Sequence, residues 1–160
     1  MTGHLHVRLQ GTVSVPLPQR EAFELFTPTG ERRWVPGWDP SFPAAVSDET
    51  NPGTVFQTNT QHPVTWIVVD CDRPSSISYC NVSQGQRASV IRVCCEPDTD
   101  GATTAHVIYD VTALSHQGDA SLHEFAARYE QYMNDWQEAI AAHIAASVEL
   151  GSVCVTSKDE

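Results

Sequence analysis

Residues 121–151, SLHEFAARYEQYMNDWQEAIAAHIAASVELG, hold the longest periodic pattern in the chain. Leu122, Phe125, Tyr129, Met133, Trp136, Ile140 and Ile144 recur every three or four residues, while Arg128, Glu130, Asp135 and Glu138 fall mostly elsewhere. That is a helix with one covered face. Ser121 and Glu124 fit a capping box and Gly151 suits a left-handed C-terminal cap, so the spacing predicts a helix from about Leu122 to Leu150. At 1.5 Å per residue it is roughly 43 Å long, enough to cross a small sheet.

The sheet it must cover is written upstream. From Leu5 to Val15 apolar and polar residues alternate, the period-two signature of a half-covered strand. After Pro16 and Pro18, REAFELF carries Ala22, Phe23 and Phe26 at helical spacing, and Thr27-Pro28 reads as the N-cap and first position of a second short helix. Five β-rich segments follow, TVFQTNT, PVTWIVVDC, SSISYCNV, RASVIRVCCE and TTAHVIYDVTAL, separated by QHP, DRP, SQGQ and PDTDG. Such separators join antiparallel neighbours, so the segments form a meander. A further short strand within Pro43 to Ser47 is weakly signalled, giving six or seven strands.

Alternation assigns the faces. Ala105, Val107, Tyr109, Val111 and Ala113 share the covered side of the last strand, and Ile77, Tyr79 and Asn81, then Ile91, Val93 and Cys95, turn the same way in the two before it. Phe56 joins them. The covered face is thus an apolar wall with phenol and amide groups, the make-up of a small-molecule site. A buried tyrosine also serves as a core residue bonded to a backbone carbonyl, and that alternative stays open.

Composition narrows the partners. The chain has 160 residues and 41% hydrophobic content, one ordinary domain, with no run of about 18 apolar residues to span a membrane. MTGHLHVRLQ lacks the apolar core of a secretory signal, so a cytoplasmic location is expected. Nine Lys and Arg against twenty Asp and Glu give a net charge of −11, which repels nucleic acid and anionic membranes; Lys158 is the only lysine. The five cysteines, Cys71, Cys80, Cys94, Cys95 and Cys154, have no C-x-x-C spacing and read as reduced thiols.

Chemical motifs are scarce. G-x-S-x-G, H-E-x-x-H, the P-loop and G-x-G-x-x-G are all missing. His4 and His6 share a strand face but have no third ligand in sequence, so no metal or other cofactor is expected. His116 and His123 flank a helix start in solvated or capping roles, Asp70 and Asp72 belong to a solvated turn, and Cys94 and Cys95 point to opposite faces. No catalytic residue is assigned. Arg32 and Arg33 are expected to pair with local carboxylates, or to meet an anionic head group at a cavity mouth.

The order strand, two short helices, antiparallel meander, long helix resembles the START/Bet v 1-like superfamily (SRPBCC, including polyketide cyclase-like proteins) over nearly the whole chain. The likeness is strongest in AFELFTPTGERRWVPGWDP (22–40), TWIVVDCD (65–72), VIYDVTALSHQGD (107–119) and YEQYMNDWQEAI (129–140), and it points to a bacterial subgroup of unsettled function. The resemblance implies an α+β helix-grip fold, a curved sheet with two short helices and a long C-terminal helix over a cavity, as a single domain over 1–151. Residues 152–160 form a tail whose order is left open.

It also implies that the segment after the second short helix lies near the cavity mouth, where Trp34 and Trp38, aimed by the Pro36-Gly37 turn, form a wall or lip. Plugging the end of the core is the alternative for these rings. With the covered-face residues, the expected ligand-binding set is Trp34, Trp38, Phe56, Trp66, Tyr79, Ile91, Tyr109, Phe125, Tyr129 and Met133. The expected function is binding or carrying a small, largely apolar molecule. A polyketide cyclase or aromatase and a protein-interaction module are the alternatives, and a homodimer stays open.

Overall fold

The computed structural model describes the backbone of residues 3–156 and the side chains of residues 3–149. Strand β1 (His6–Val15) is followed by helix α1 (Gln19–Glu24), a 3-10 turn (Gly30–Arg33) and the meander β2 (Val55–Asn59), β3 (Pro63–Asp72), β4 (Ser76–Ser83), β5 (Arg87–Pro97) and β6 (Thr103–Ala113). Helices α2 (His116–Ala127) and α3 (Tyr129–Thr156) complete it. All six strands make one antiparallel sheet in the order β1-β6-β5-β4-β3-β2. The segment within Pro43 to Ser47 is not a strand, and nearby only Ser41 bridges to Gln57.

The alternation holds strand by strand. Val13, Val15, Phe56, Ile77, Tyr79, Ile91, Val93, Cys95 and the apolar face of β6 are all buried beneath the helices. In β3 a register shift between Val68 and Asp70 inserts one residue, so inward positions run Trp66, Val68, then Cys71. Such a bulge bends its strand and strengthens the twist that a curved sheet needs.

The helical cover departs from the expected single rod. It starts earlier, at His116, where the Ser115 side chain caps the helix by accepting from the Gly118 N–H at 2.9 Å. Ser121 instead lies one turn inside α2, its hydroxyl donating to the Gly118 carbonyl. The rod breaks at Arg128, and its two parts pack on different strands, α2 on β6 and α3 on β1. Gly151 does not end the helix, which continues to Thr156; residues 157–160 lie outside the described residues.

Where α3 crosses β1 the strand carries Gly11. A Cβ there would stand 2.7 Å from Met133 Cγ and 3.3 Å from the Tyr129 ring, so the missing side chain admits both residues against the sheet. Elsewhere α1 and the turn that follows it add Phe23, Leu25 and Phe26 to the core, all buried. The second short helix is only the 3-10 turn, and it starts at Gly30 with Thr29 at its N-cap, so Thr27 and Pro28 precede it instead of capping and opening it; the Thr27 hydroxyl still accepts from the Gly30 N–H at 3.1 Å. Among the described residues no helix is long and apolar enough to cross a membrane.

Candidate ligand cavity

Between the sheet and the helical cover lies a cavity of about 540 Å³. Strands β3 to β6 supply Trp66, Tyr79, Ile91 and Tyr109 from their inward positions, and the helices supply Phe125, Tyr132 and Trp136. Thr60, Gln61 and His62, with Pro36 beside them, form an exposed and mainly polar rim. This is the usual plan of a small-molecule site, apolar walls with a few polar groups.

The two tryptophans of the Pro-Gly turn have different fates. Trp38 lines the cavity, half-buried, with its indole N–H donating to the Pro28 carbonyl at 2.7 Å and its ring edge-on to Trp66 at 5.4 Å. Trp34 is buried outside it, donating to the Leu25 carbonyl at 2.7 Å and packing edge-on against Trp136 at 5.1 Å. One ring is wall and the other is plug.

Of the ten residues expected from sequence, Trp38, Trp66, Tyr79, Ile91, Tyr109 and Phe125 line the space. Trp34, Phe56, Tyr129 and Met133 belong to the packed core instead. Phe56 lies flat behind Trp66, ring centroids 5.6 Å apart, and the Tyr129 hydroxyl donates to the Val107 carbonyl while Met133 fills the Gly11 notch. The Tyr79 hydroxyl is likewise occupied, donating to the Phe26 carbonyl at 2.6 Å, so Tyr79 offers the cavity its ring.

Tyr109 and Tyr132 are the phenols that remain. Burial, reinforced by each other and by Glu31, pushes Tyr109 well above the ordinary range, and burial raises Tyr132 too, although hydrogen bonding from Tyr109 and Trp136 partly opposes it. Both stay protonated. Glu31, in the 3-10 turn, lines the same space, its carboxyl has no hydrogen-bond or ion-pair partner among the described residues, and burial raises its pKa well above the carboxylate range. Arg87, at the start of β5, lies with its guanidinium 4.8 Å over the Phe125 ring, and its Nη1 is buried without a hydrogen-bond partner.

No protein-family model matches this chain, and no curated protein does. Solved structures do. An uncharacterised protein from Rhizobium leguminosarum is 16% identical over 86% of this chain and 96% of its own, with a TM-score of 0.64. Norcoclaurine synthase from Thalictrum flavum is 7% identical over 90% of this chain and 96% of its own, TM-score 0.62. DynU16, from the dynemicin biosynthetic locus, is 16% identical over 88% of this chain and 48% of its own, TM-score 0.61. The chain has the Bet v 1-like helix-grip fold.

Within that Bet v 1-like frame, three polar or charged residues had escaped the sequence reading. Arg87 shares the covered face with Ser89, Ile91, Val93 and Cys95, so the same alternation carried two residues further would have put a charge inside. Tyr132 is seven residues from Phe125 and four from Trp136, a second stripe beside the one formed by Tyr129, Met133 and Ile140. Glu31 had no such signal, since its direction is set by a 3-10 turn. The arginine beside it behaves as expected: Arg32 pairs with Asp39 at 2.9 Å, and neither it nor Arg33 lines the cavity.

The histidines correct another expectation. His4 finds companions that sequence spacing hid, lying 2.9 Å from Asp119 Oδ2 with His116 Nδ1 3.7 Å from the same oxygen, while His6 bonds Thr112. This His4, His116 and Asp119 group is the one described set with metal-ligand spacing. Asp119 is already engaged there, accepting the Leu5 N–H at 2.8 Å, which together with His4 holds its carboxyl below the usual range. Cys71, Cys80, Cys94 and Cys95 are free thiols.

Proposed function

We propose that the cavity receives a small, largely apolar molecule and that the protein sequesters or carries it. The cavity itself carries this reading: about 540 Å³ of space between sheet and helices, lined by the aromatic side chains of Trp38, Trp66, Tyr79, Tyr109, Phe125, Tyr132 and Trp136. Pockets of roughly 300–1,000 Å³ with such walls are where drug-sized ligands bind. Ser89 lines this space with a small, buried side chain, so Ser89→Phe places a ring in it and removes little packing. Wild-type protein is expected to bind the neutral dye N-phenyl-1-naphthylamine, with changed tryptophan emission, and Ser89→Phe to bind it at least tenfold more weakly at unchanged far-UV circular dichroism. Equal binding in the two proteins would remove the cavity from the function. Native mass spectrometry of freshly purified protein tests for a retained natural ligand.

Glu31 favours a second reading, acid–base catalysis of the kind a polyketide cyclase performs, since a desolvated carboxyl whose pKa is raised and which lines the same space as two phenols is suited to proton transfer. The fold accommodates enzymes, norcoclaurine synthase among its neighbours. The desolvation has a stability signature. With the folded pKa above the unfolded one, Glu31 is harmless below the ordinary carboxylate range, and stability is lost as pH rises through the folded value. Glu31→Gln should therefore match wild type in chemical denaturation near pH 4 and exceed it increasingly towards pH 8. Parallel pH profiles would mean that the carboxyl is hydrated, and the catalytic reading would lose its support.

A further inference from the structure

Arg87 is an arginine without an acid, in a chain where acids outnumber Lys and Arg by twenty to nine. The other arginines with ion pairs meet theirs near the surface: Arg8 with Asp110, Arg32 with Asp39, Arg73 with Glu24 and Arg128 with Glu124. Among the described residues the buried Nη1 of Arg87 is the one buried side-chain nitrogen or oxygen lacking any hydrogen bond. A desolvated N–H with nothing to donate to is costly, more so on a charged group. Its covered-face position in β5 and its seat over Phe125 place the side chain among the residues that line the cavity, so a ligand in that space meets a guanidinium that no acid has neutralised.

Resting on the reading of the cavity as a ligand site, we propose that the bound molecule is a monocarboxylate with an apolar, ring-bearing body, its carboxylate accepting from the Arg87 guanidinium. A planar fork of N–H donors matches a carboxylate with two parallel bonds. One guanidinium balances one negative charge. Among the described residues Arg87 is the one Lys or Arg that lines the cavity, His62 stands on its exposed rim and Glu31 is its one carboxyl, so at pH 8 a phosphate dianion is left half-compensated. The body then lies among Trp38, Trp66 and Tyr109, and the Tyr132 hydroxyl stands near the same end, within the electrostatic reach of Arg87.

The test uses three naphthalene probes of one shape, titrated at pH 8 by tryptophan fluorescence: 2-naphthoate, the neutral 2-naphthamide and the dianionic 2-naphthyl phosphate. Wild type is expected to bind naphthoate at least tenfold more tightly than either of the others. Arg87→Gln should erase the advantage over naphthamide while leaving naphthamide affinity within about twofold, and Arg87→Lys should keep part of it, since a point charge replaces the fork. If naphthoate and naphthamide bind wild type equally, the carboxylate assignment is overturned and the cavity reading survives. A loss of both probes together in Arg87→Gln reduces Arg87 to a structural residue. If phosphate is preferred, the ligand class is wrong. Failure of every probe, the neutral dye included, removes the cavity reading along with this one. Should Arg87→Gln not fold, the wild-type ranking and Arg87→Lys decide.

Discussion

Phe26→Ala is expected to lower the free energy of unfolding by about 3–5 kcal/mol, the range for deleting a fully buried phenylalanine ring. Phe26 is completely buried where three parts of the chain meet. Its ring packs against Trp34 at 6.0 Å and Trp136 at 6.4 Å, and its carbonyl accepts the Tyr79 hydroxyl. These neighbours are anchored elsewhere, Trp34 to the Leu25 carbonyl and Tyr79 in a strand, so they cannot collapse into the space left behind. Urea denaturation should show the midpoint falling with the slope unchanged. A loss below about 1 kcal/mol would mean that the site repacks and that α1 is a looser lid on the core than its burial indicates.

Gly30→Ala should rival that loss without removing an atom. An added Cβ would meet the Glu24 carbonyl oxygen at 1.7 Å, its carbon at 2.9 Å and Thr27 Oγ1 at 2.6 Å. Two of these belong to the backbone at the end of α1 and cannot rotate aside, so the 3-10 turn must move as a unit. Overpacking typically costs about 1–3 kcal/mol, and a backbone obstacle puts this change at or above the top of that range. Glu31 and Trp34 travel with the turn, so dye binding should weaken together with stability. Gly37→Ala is the contrast. Its cost comes from the left-handed φ of 73°, with nothing within 4 Å to strike, and stays near the 1 kcal/mol expected of backbone strain alone. Equal losses at both glycines would show that space at Gly30 is not the constraint.

The architecture was legible because each strand has one covered face and alternation records it directly: Tyr79, Ile91 and Tyr109 were placed correctly by parity alone. The start of the helical cover was misread because Ser121 and Glu124 fit a capping box that lies one turn inside the helix, beyond Gly118. The smallness of Gly118 has a tertiary cause, since a Cβ there would sit 2.0 Å from the Gln86 carbonyl of the β4–β5 hairpin. The break at Arg128 leaves no proline or glycine behind it, only a change of partner from β6 to β1. Trp34 and Trp38 look equivalent across Pro36-Gly37, and their separation into core and cavity depends on carbonyls that only the folded chain brings within reach. A single helical stripe was read where there are two, and so Tyr129 and Met133 were preferred to Tyr132.

The pairing of β1 with β6 also sets the order in which the protein can assemble. The meander closes through short turns between consecutive strands, whereas His6 must find Thr112, 106 residues away. The entropy of closing so long a loop grows only by about 0.6 kcal/mol per doubling of length, but nothing repays it until β6 exists. During synthesis the N-terminal strand therefore waits, with its hydrogen bonds unmade, for nearly the whole sheet. Because α3 rests on β1, the long helix has no complete surface to dock on until that pairing is made. The transition state is then expected to be dominated by non-local contacts, which places this domain among the slower folders of its size.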